Sequence, residues 1–163
     1  MEKLLVAVMG HRDSGKSYTW NQLFGGTVKT GKYIRKLYLN DSEYVDVFLV
    51  SGSPEERGEY VGDLITVDNP RIVLCSMQYR KDVTESLDYF INNDYFIFLH
   101  WINPGYSDSP VIHHDINGVV PYINSLSAMF GIRDGKKDAA SRVNEIKEYI
   151  YGWAKYRNLI KTV

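Results

Sequence analysis

The chain has 163 residues, a length suited to one domain with a single sizeable core, and we read residues 1–163 as one unit. Nineteen Lys and Arg face twenty Asp and Glu, so no excess charge draws the protein to nucleic acid or an anionic membrane, and a lone cysteine excludes an internal disulfide. With no leader pattern and no apolar run long enough to span a bilayer, the expected compartment is the cytoplasm.

The first element is the apolar run Leu4 to Val8, nearly unbroken, which predicts a strand buried on both faces of a parallel sheet. Gly10 ends it, and "GHRDSGKS", Gly10 to Ser17, fills every fixed position of the phosphate-loop pattern G-x-x-x-x-G-K-[ST]. A helix over Tyr18 to Phe24 follows, stopped by Gly25-Gly26. Strand, glycine-bounded loop and helix together make an anion cradle, because backbone N–H groups and a helix N-terminus converge on one spot. The candidate nucleotide-binding residues are therefore Gly10, His11, Arg12, Asp13, Ser14, Gly15, Lys16, Ser17 and Tyr18. Lys16 is assigned to the β- and γ-phosphates, and the Ser17 hydroxyl to a Mg²⁺ ion, which takes oxygen ligands.

Tyr33 to Val50 reads as two strands joined through the turn cluster Asn40-Asp41-Ser42, an antiparallel hairpin. Ser53, Pro54 and Glu56 then form a capping-box signature for a helix start. "RIVLCSM" is the next buried strand, with Cys75 expected as an inert core thiol. "DVTESLDYFINN" is a helix with Val83, Leu87, Phe90 and Ile91 at helical spacing, and "YFIFLHWI" a further strand, with His100 as a core histidine. "VVPYINSLSA" is taken as the last strand, demoted toward an edge by Pro121. The segment from Asp138 to Ile160 is a long amphipathic helix presenting Val143, Ile146, Ile150 and Trp153. The alternation predicts an α/β three-layer phosphate-loop fold: a mostly parallel sheet with one antiparallel hairpin strand and helices on both faces.

The order of elements, the phosphate loop, the hairpin, "SGSPEER" at Ser51 to Arg57 and "SA" at Ser127-Ala128 together resemble the Ras-like small GTPases over nearly the whole chain. The resemblance implies a Mg²⁺-dependent nucleoside triphosphate site for ATP or GTP, slow hydrolysis or switching, and a protein partner. It also implies a switch threonine on Mg²⁺, for which Thr27 and Thr30 are the candidates and Thr30 is taken as the ligand. The departures are specific. Ser51 stands where the D-x-x-G motif has its Asp, Pro54 where it has Gly, and Glu55 where the family has a water-positioning Gln. Glu55 is accordingly the candidate catalytic base beside Lys16. The guanine-reading N-K-x-D is not retained after "YFIFLHWI", where the chain has Asn103 in "NPGYSD"; Met129 replaces the lysine of S-A-K, and the later "GKKD" at 135–138 lacks an expected preceding strand.

An alternative reading is a small-molecule kinase of the phosphate-loop superfamily, with Gln78, Arg80, Lys81 or Arg133 near the transferred phosphoryl group. His113-His114-Asp115 is a weaker metal candidate, since adjacent histidines point apart.

Overall fold

The computed structural model describes residues 2–104, 115–137 and 139–163. The first strand, β1 (Lys3–Gly10), leads through the loop into α1 (Lys16–Phe24), and the hairpin is β2 (Arg35–Tyr38) and β3 (Glu43–Val50). Two single-turn helices, α2 (Pro54–Arg57) and α3 (Val61–Leu64), precede β4 (Ile72–Gln78), α4 (Val83–Asn92) and β5 (Tyr95–Ile102). The chain closes with α5 (Val119–Asn124), β6 (Ala128–Arg133), α6 (Ala140–Tyr156) and the two-residue β7 (Lys161–Thr162).

The seven strands form one sheet in the order β2-β3-β4-β1-β5-β6, with β7 added beside β3. The β3/β4, β4/β1, β1/β5 and β5/β6 pairs are parallel, whereas β2 and β7 pair antiparallel to β3. Alternation along β1 divides the core: Leu4, Val6 and Val8 pack with α1 and α6 through Trp20, Leu23, Val143, Ile146, Ile150 and Trp153. Leu5, Ala7 and Met9 face α3, α4 and α5 through Val61, Val83, Leu87, Phe90, Val119 and Ile123. Both faces of the central strands are thus covered, as their apolar sequences require.

Strand order adds something that order along the chain does not. β4 separates β3 from β1, so the Ser51 end of β3 is one strand removed from Gly10, and Gln78 closes the strand beside the loop.

One expected element is corrected and two others are refined. "VVPYINSLSA" is not a strand: Val119–Asn124 is helical, and β6 starts only at Ala128. Val119 and Ile123, one turn apart, bury the same face. Pro121 lies in the first turn, where its missing N–H has no intrahelical acceptor to lose. The Asp115 carboxylate starts this helix, accepting from the amides of Val119 (2.9 Å) and Val120 (2.6 Å). As a result Ser127-Ala128 lies at the start of β6, and the 135–137 loop follows β6 directly, a strand that is half-buried to exposed rather than a buried one. The capping box at Ser53 produces only one turn, stopped by Gly58 in the left-handed region, with the Ser53 hydroxyl 3.3 Å from the Glu56 carboxylate.

Candidate functional site

At the carboxyl ends of β1, β3 and β6 lies a cavity of about 630 Å³. Its walls are Arg12 to Tyr18, Ser51 to Ser53, Glu56, Gly135 and Lys136. Open α/β sheets place their ligands at this end.

The loop's path is set by two left-handed residues, Asp13 (φ 60°) and Gly15 (φ 105°). Gly15 is fixed twice over, since a Cβ there would collide with the Gly135 carbonyl oxygen. The loop is held from behind by Asn103, fully buried and itself left-handed at φ 77°. Its Nδ2 donates to the Ser14 carbonyl at 2.8 Å, its Oδ1 accepts from the Gly135 amide, and its own N–H donates to Arg133 O at 2.7 Å. Arg142 on α6 reinforces the same junction, donating to the Thr19 hydroxyl and, at 3.3 Å, to Gly135 O. Burial lowers the pKa of this guanidinium from 12.5. Lys136 reaches across to the Asp13 carbonyl.

Lys16 is 8% exposed and turned back onto its own loop. Its ammonium donates to Gly10 O (3.1 Å), His11 O (2.6 Å) and Gln78 Oε1 (3.1 Å). Ser14 Oγ is buried and has no hydrogen-bond partner among the described residues. Ser17 and Tyr18 are exposed in the first turn of α1, whose leading amides have no acceptor inside the helix. Three cations (Arg12, Lys16, Lys136) outnumber two carboxylates (Asp13, Glu56) in the walls. Cations, unclaimed donors and the positive end of a helix make this a place for a polyanion.

Not all expected site residues meet here. Gly10 and His11 contribute carbonyls to Lys16, while the His11 ring sits edge-on to Tyr79, 5.6 Å between centroids. Glu55 is turned away from the cavity and buried, accepting from the Gln78 amide (2.7 Å) and the Ser86 hydroxyl. Burial pushes its pKa above 4.5 despite those two donors. Of the two neighbouring glutamates, Glu56 lines the cavity instead. Thr30 lies outside the wall, its hydroxyl oxygen accepting from the amides of Ser51 (2.8 Å) and Gly52 (3.4 Å). Thr27 is exposed. Of the two proposed metal ligands, then, only Ser17 faces the cavity. No group of three or more His, Cys, Asp or Glu converges on a point among the described residues.

The acceptor-clamp candidates scatter. Arg80 donates to Glu55 O (3.2 Å) and pairs with Asp82, Lys81 is exposed, and Arg133 forks onto Glu145 at 3.0 and 2.6 Å. His100 is buried on β5 with Nε2 2.9 Å from the Glu145 carboxylate, and burial lowers its pKa, in keeping with a core histidine. Cys75 is fully buried and its thiol pKa is driven up by that burial. Asp115 is committed to capping α5 and to the Tyr79 hydroxyl, while His113 and His114 lie outside the described residues, as does Asp138 of "GKKD". Burial and Asp115 raise the Tyr79 pKa to about 12.

Sequence reading discounted "GKKD", which holds Gly135 and Lys136, passed over Arg142, and noted Asn103 only as a remnant of a motif. The available signal was "RDGKK" after an alternating strand, obscured once Val119 to Ala128 had been taken as that strand. No helix among the described residues is long and apolar enough to cross a membrane. Comparisons of the chain with protein-family models, curated proteins and solved structures gave no match.

Proposed function

We propose that the Gly10 to Ser17 loop binds the phosphate chain of a Mg²⁺-nucleoside triphosphate, ATP or GTP, and that the protein is a slow NTP hydrolase or a nucleotide-dependent switch acting on a protein partner. The observation that carries the reading is the cavity itself. A complete G-x-x-x-x-G-K-S loop lies between a parallel strand and a helix N-terminus, with Lys16, Arg12 and Lys136 in or beside its wall and an unpartnered Ser14 hydroxyl inside it.

The residues fit a magnesium-bound polyphosphate. Mg²⁺ keeps several waters and takes few protein ligands, so the Ser17 hydroxyl with phosphate oxygens suffices, and Glu56 is the carboxylate on the facing wall. When bound, the ion would neutralise phosphate charge and hold the β- and γ-phosphates in register. Lys16 balances charge on the same oxygens, and the loop amides fix the chain's position. Glu55, the base candidate, is engaged with Gln78 and Ser86 instead of facing the cavity, which supports slow turnover. The dispersal of Arg80, Lys81 and Arg133 leaves the kinase alternative without an acceptor clamp in the cavity.

The test is a thermal-shift panel of Mg²⁺-nucleotides on the wild type and Lys16→Ala. A ligand that binds only the native state at a hundredfold excess over its Kd stabilises by about 2.7 kcal/mol, which for a chain of this size is a rise of several degrees. The expected result is such a rise with ATP or GTP and its near-complete loss in Lys16→Ala. No rise with any nucleotide refutes the reading.

A further inference from the structure

Resting on that reading, we infer that Gln78 is a latch on Lys16: its side-chain carbonyl holds the ammonium against the loop and must be displaced before the lysine can take a phosphate oxygen. An ammonium has three protons to donate. Among the described residues Nζ donates to Gly10 O, His11 O and Gln78 Oε1, at 3.1, 2.6 and 3.1 Å. The first two belong to the loop backbone and cannot leave without unfolding it. Gly10 O is pinned further because it also accepts the Tyr79 amide at 3.0 Å. Gln78 is different. Its backbone amide is anchored on Glu55 at 2.7 Å, but its carboxamide can rotate about its own side-chain bonds.

Among these described acceptors, the side-chain one that a phosphate oxygen can displace is Gln78. The competition carries a cost to affinity. Gln78 is 8% exposed, so its carbonyl, once released, is a buried acceptor that has lost a charge-assisted bond. The lysine gains a charged partner in exchange, so phosphate wins, but by less than it would without the latch. Gln78 is in this sense a positioning residue that acts through Lys16. It sets the ease with which a polyphosphate recruits the lysine.

The decisive feature is a sign. A residue that merely supports the fold, or that itself holds phosphate, weakens binding when truncated, whereas removing a latch tightens it. The experiment is calorimetric titration with Mg²⁺-tripolyphosphate, which carries the phosphate chain without a base, and with Mg²⁺-ATP and Mg²⁺-GTP. Gln78→Met keeps the volume and removes the acceptor. The expected result is about fivefold tighter binding, equivalent to about 1 kcal/mol, together with a lower melting temperature for the empty protein. In the Lys16→Ala background the same substitution should leave the weak residual affinity unchanged. Gln78→Glu replaces the neutral latch with an ion pair and should weaken binding at least tenfold in the wild-type background only; it also serves if Gln78→Met does not fold.

Unchanged or weaker binding in folded Gln78→Met overturns the latch, as does a loss of equal size for Gln78→Glu with and without Lys16, which would show the new carboxylate acting on the ligand directly. The two levels fail separately. Wild-type binding that Lys16→Ala abolishes, with Gln78→Met neutral, removes the latch and leaves the nucleotide site. Absence of binding by the wild type removes both.

Discussion

Replacing Asn103 tests whether the loop is held in shape by the strand ends behind it. In Asn103→Ala the Ser14 carbonyl loses its 2.8 Å donor and the Gly135 amide loses its acceptor, both in a place where Asn103 is completely buried. A buried polar group left unpaired costs about 1–3 kcal/mol, so two such losses with partial relaxation amount to roughly 2–4 kcal/mol. Asn103 also has φ 77°, a region that Asn tolerates and Ala does not, which adds about 1 kcal/mol. The sum, about 3–5 kcal/mol, corresponds to a fall in melting temperature on the order of 10 °C for a chain of this length. Urea unfolding at unchanged slope gives the same quantity independently. The partner variant Asn103→Gly removes the hydrogen bonds but not the backbone compatibility, so it should be less damaging than Ala by about that same 1 kcal/mol. A loss below about 1 kcal/mol in Asn103→Ala, or a Gly variant worse than Ala, would refute the account of this residue as a strained, doubly bonded brace.

Ser17→Ala should weaken nucleotide binding in Mg²⁺ more than in EDTA, because only the metal-dependent part passes through the hydroxyl; equal losses measured by calorimetry would remove Ser17 from the metal site. Glu55→Gln should change the single-turnover hydrolysis rate by less than about tenfold, or about 1.4 kcal/mol in the barrier, since the carboxylate faces Gln78 and Ser86 rather than the cavity; a hundredfold collapse would make it the base after all. The same variant has a pH signature. Burial raises the folded-state pKa of Glu55 above 4.5, so the protonated form favours folding, and its contribution is full below 4.5 and is lost as pH rises through the higher folded value. Urea-unfolding stability of the wild type should therefore fall across that window relative to Glu55→Gln, and parallel pH profiles would show that the group is not desolvated.

The central strands and the two large helices were legible because their signals are redundant: β1, β4 and β5 are apolar at most positions, and α6 repeats its buried residues at helical spacing. Val119 to Asn124 misled because its helix is short and its start depends on Asp115 and its backbone partners, which period and propensity do not encode. β7 was invisible for a similar reason: two residues gain their strand geometry only by pairing with Glu43 and Tyr44. At the site, the loop residues were readable from a local pattern, whereas Asn103, Gly135 and Arg142 act through contacts between distant segments. The direction of the Glu55 side chain was equally hidden, since Glu55 and Glu56 are neighbours and the backbone alone decides which of them reaches the cavity.

The brace behind the loop also bears on the order in which the protein assembles. Ser14 meets Asn103 across 89 positions of chain, and Thr19 meets Arg142 across 123. A loop that looks local in sequence thus acquires its shape only after β5, β6 and the start of α6 have been delivered by long closures, each costly in chain entropy before it yields any contact. Helix α1 and the β2/β3 hairpin need no such delivery and form from near neighbours. During synthesis, which proceeds from the N-terminus, the glycine-rich segment leaves the ribosome before Asn103 and Arg142, which support it. A chain that lacks those later segments carries the motif without the brace that shapes it.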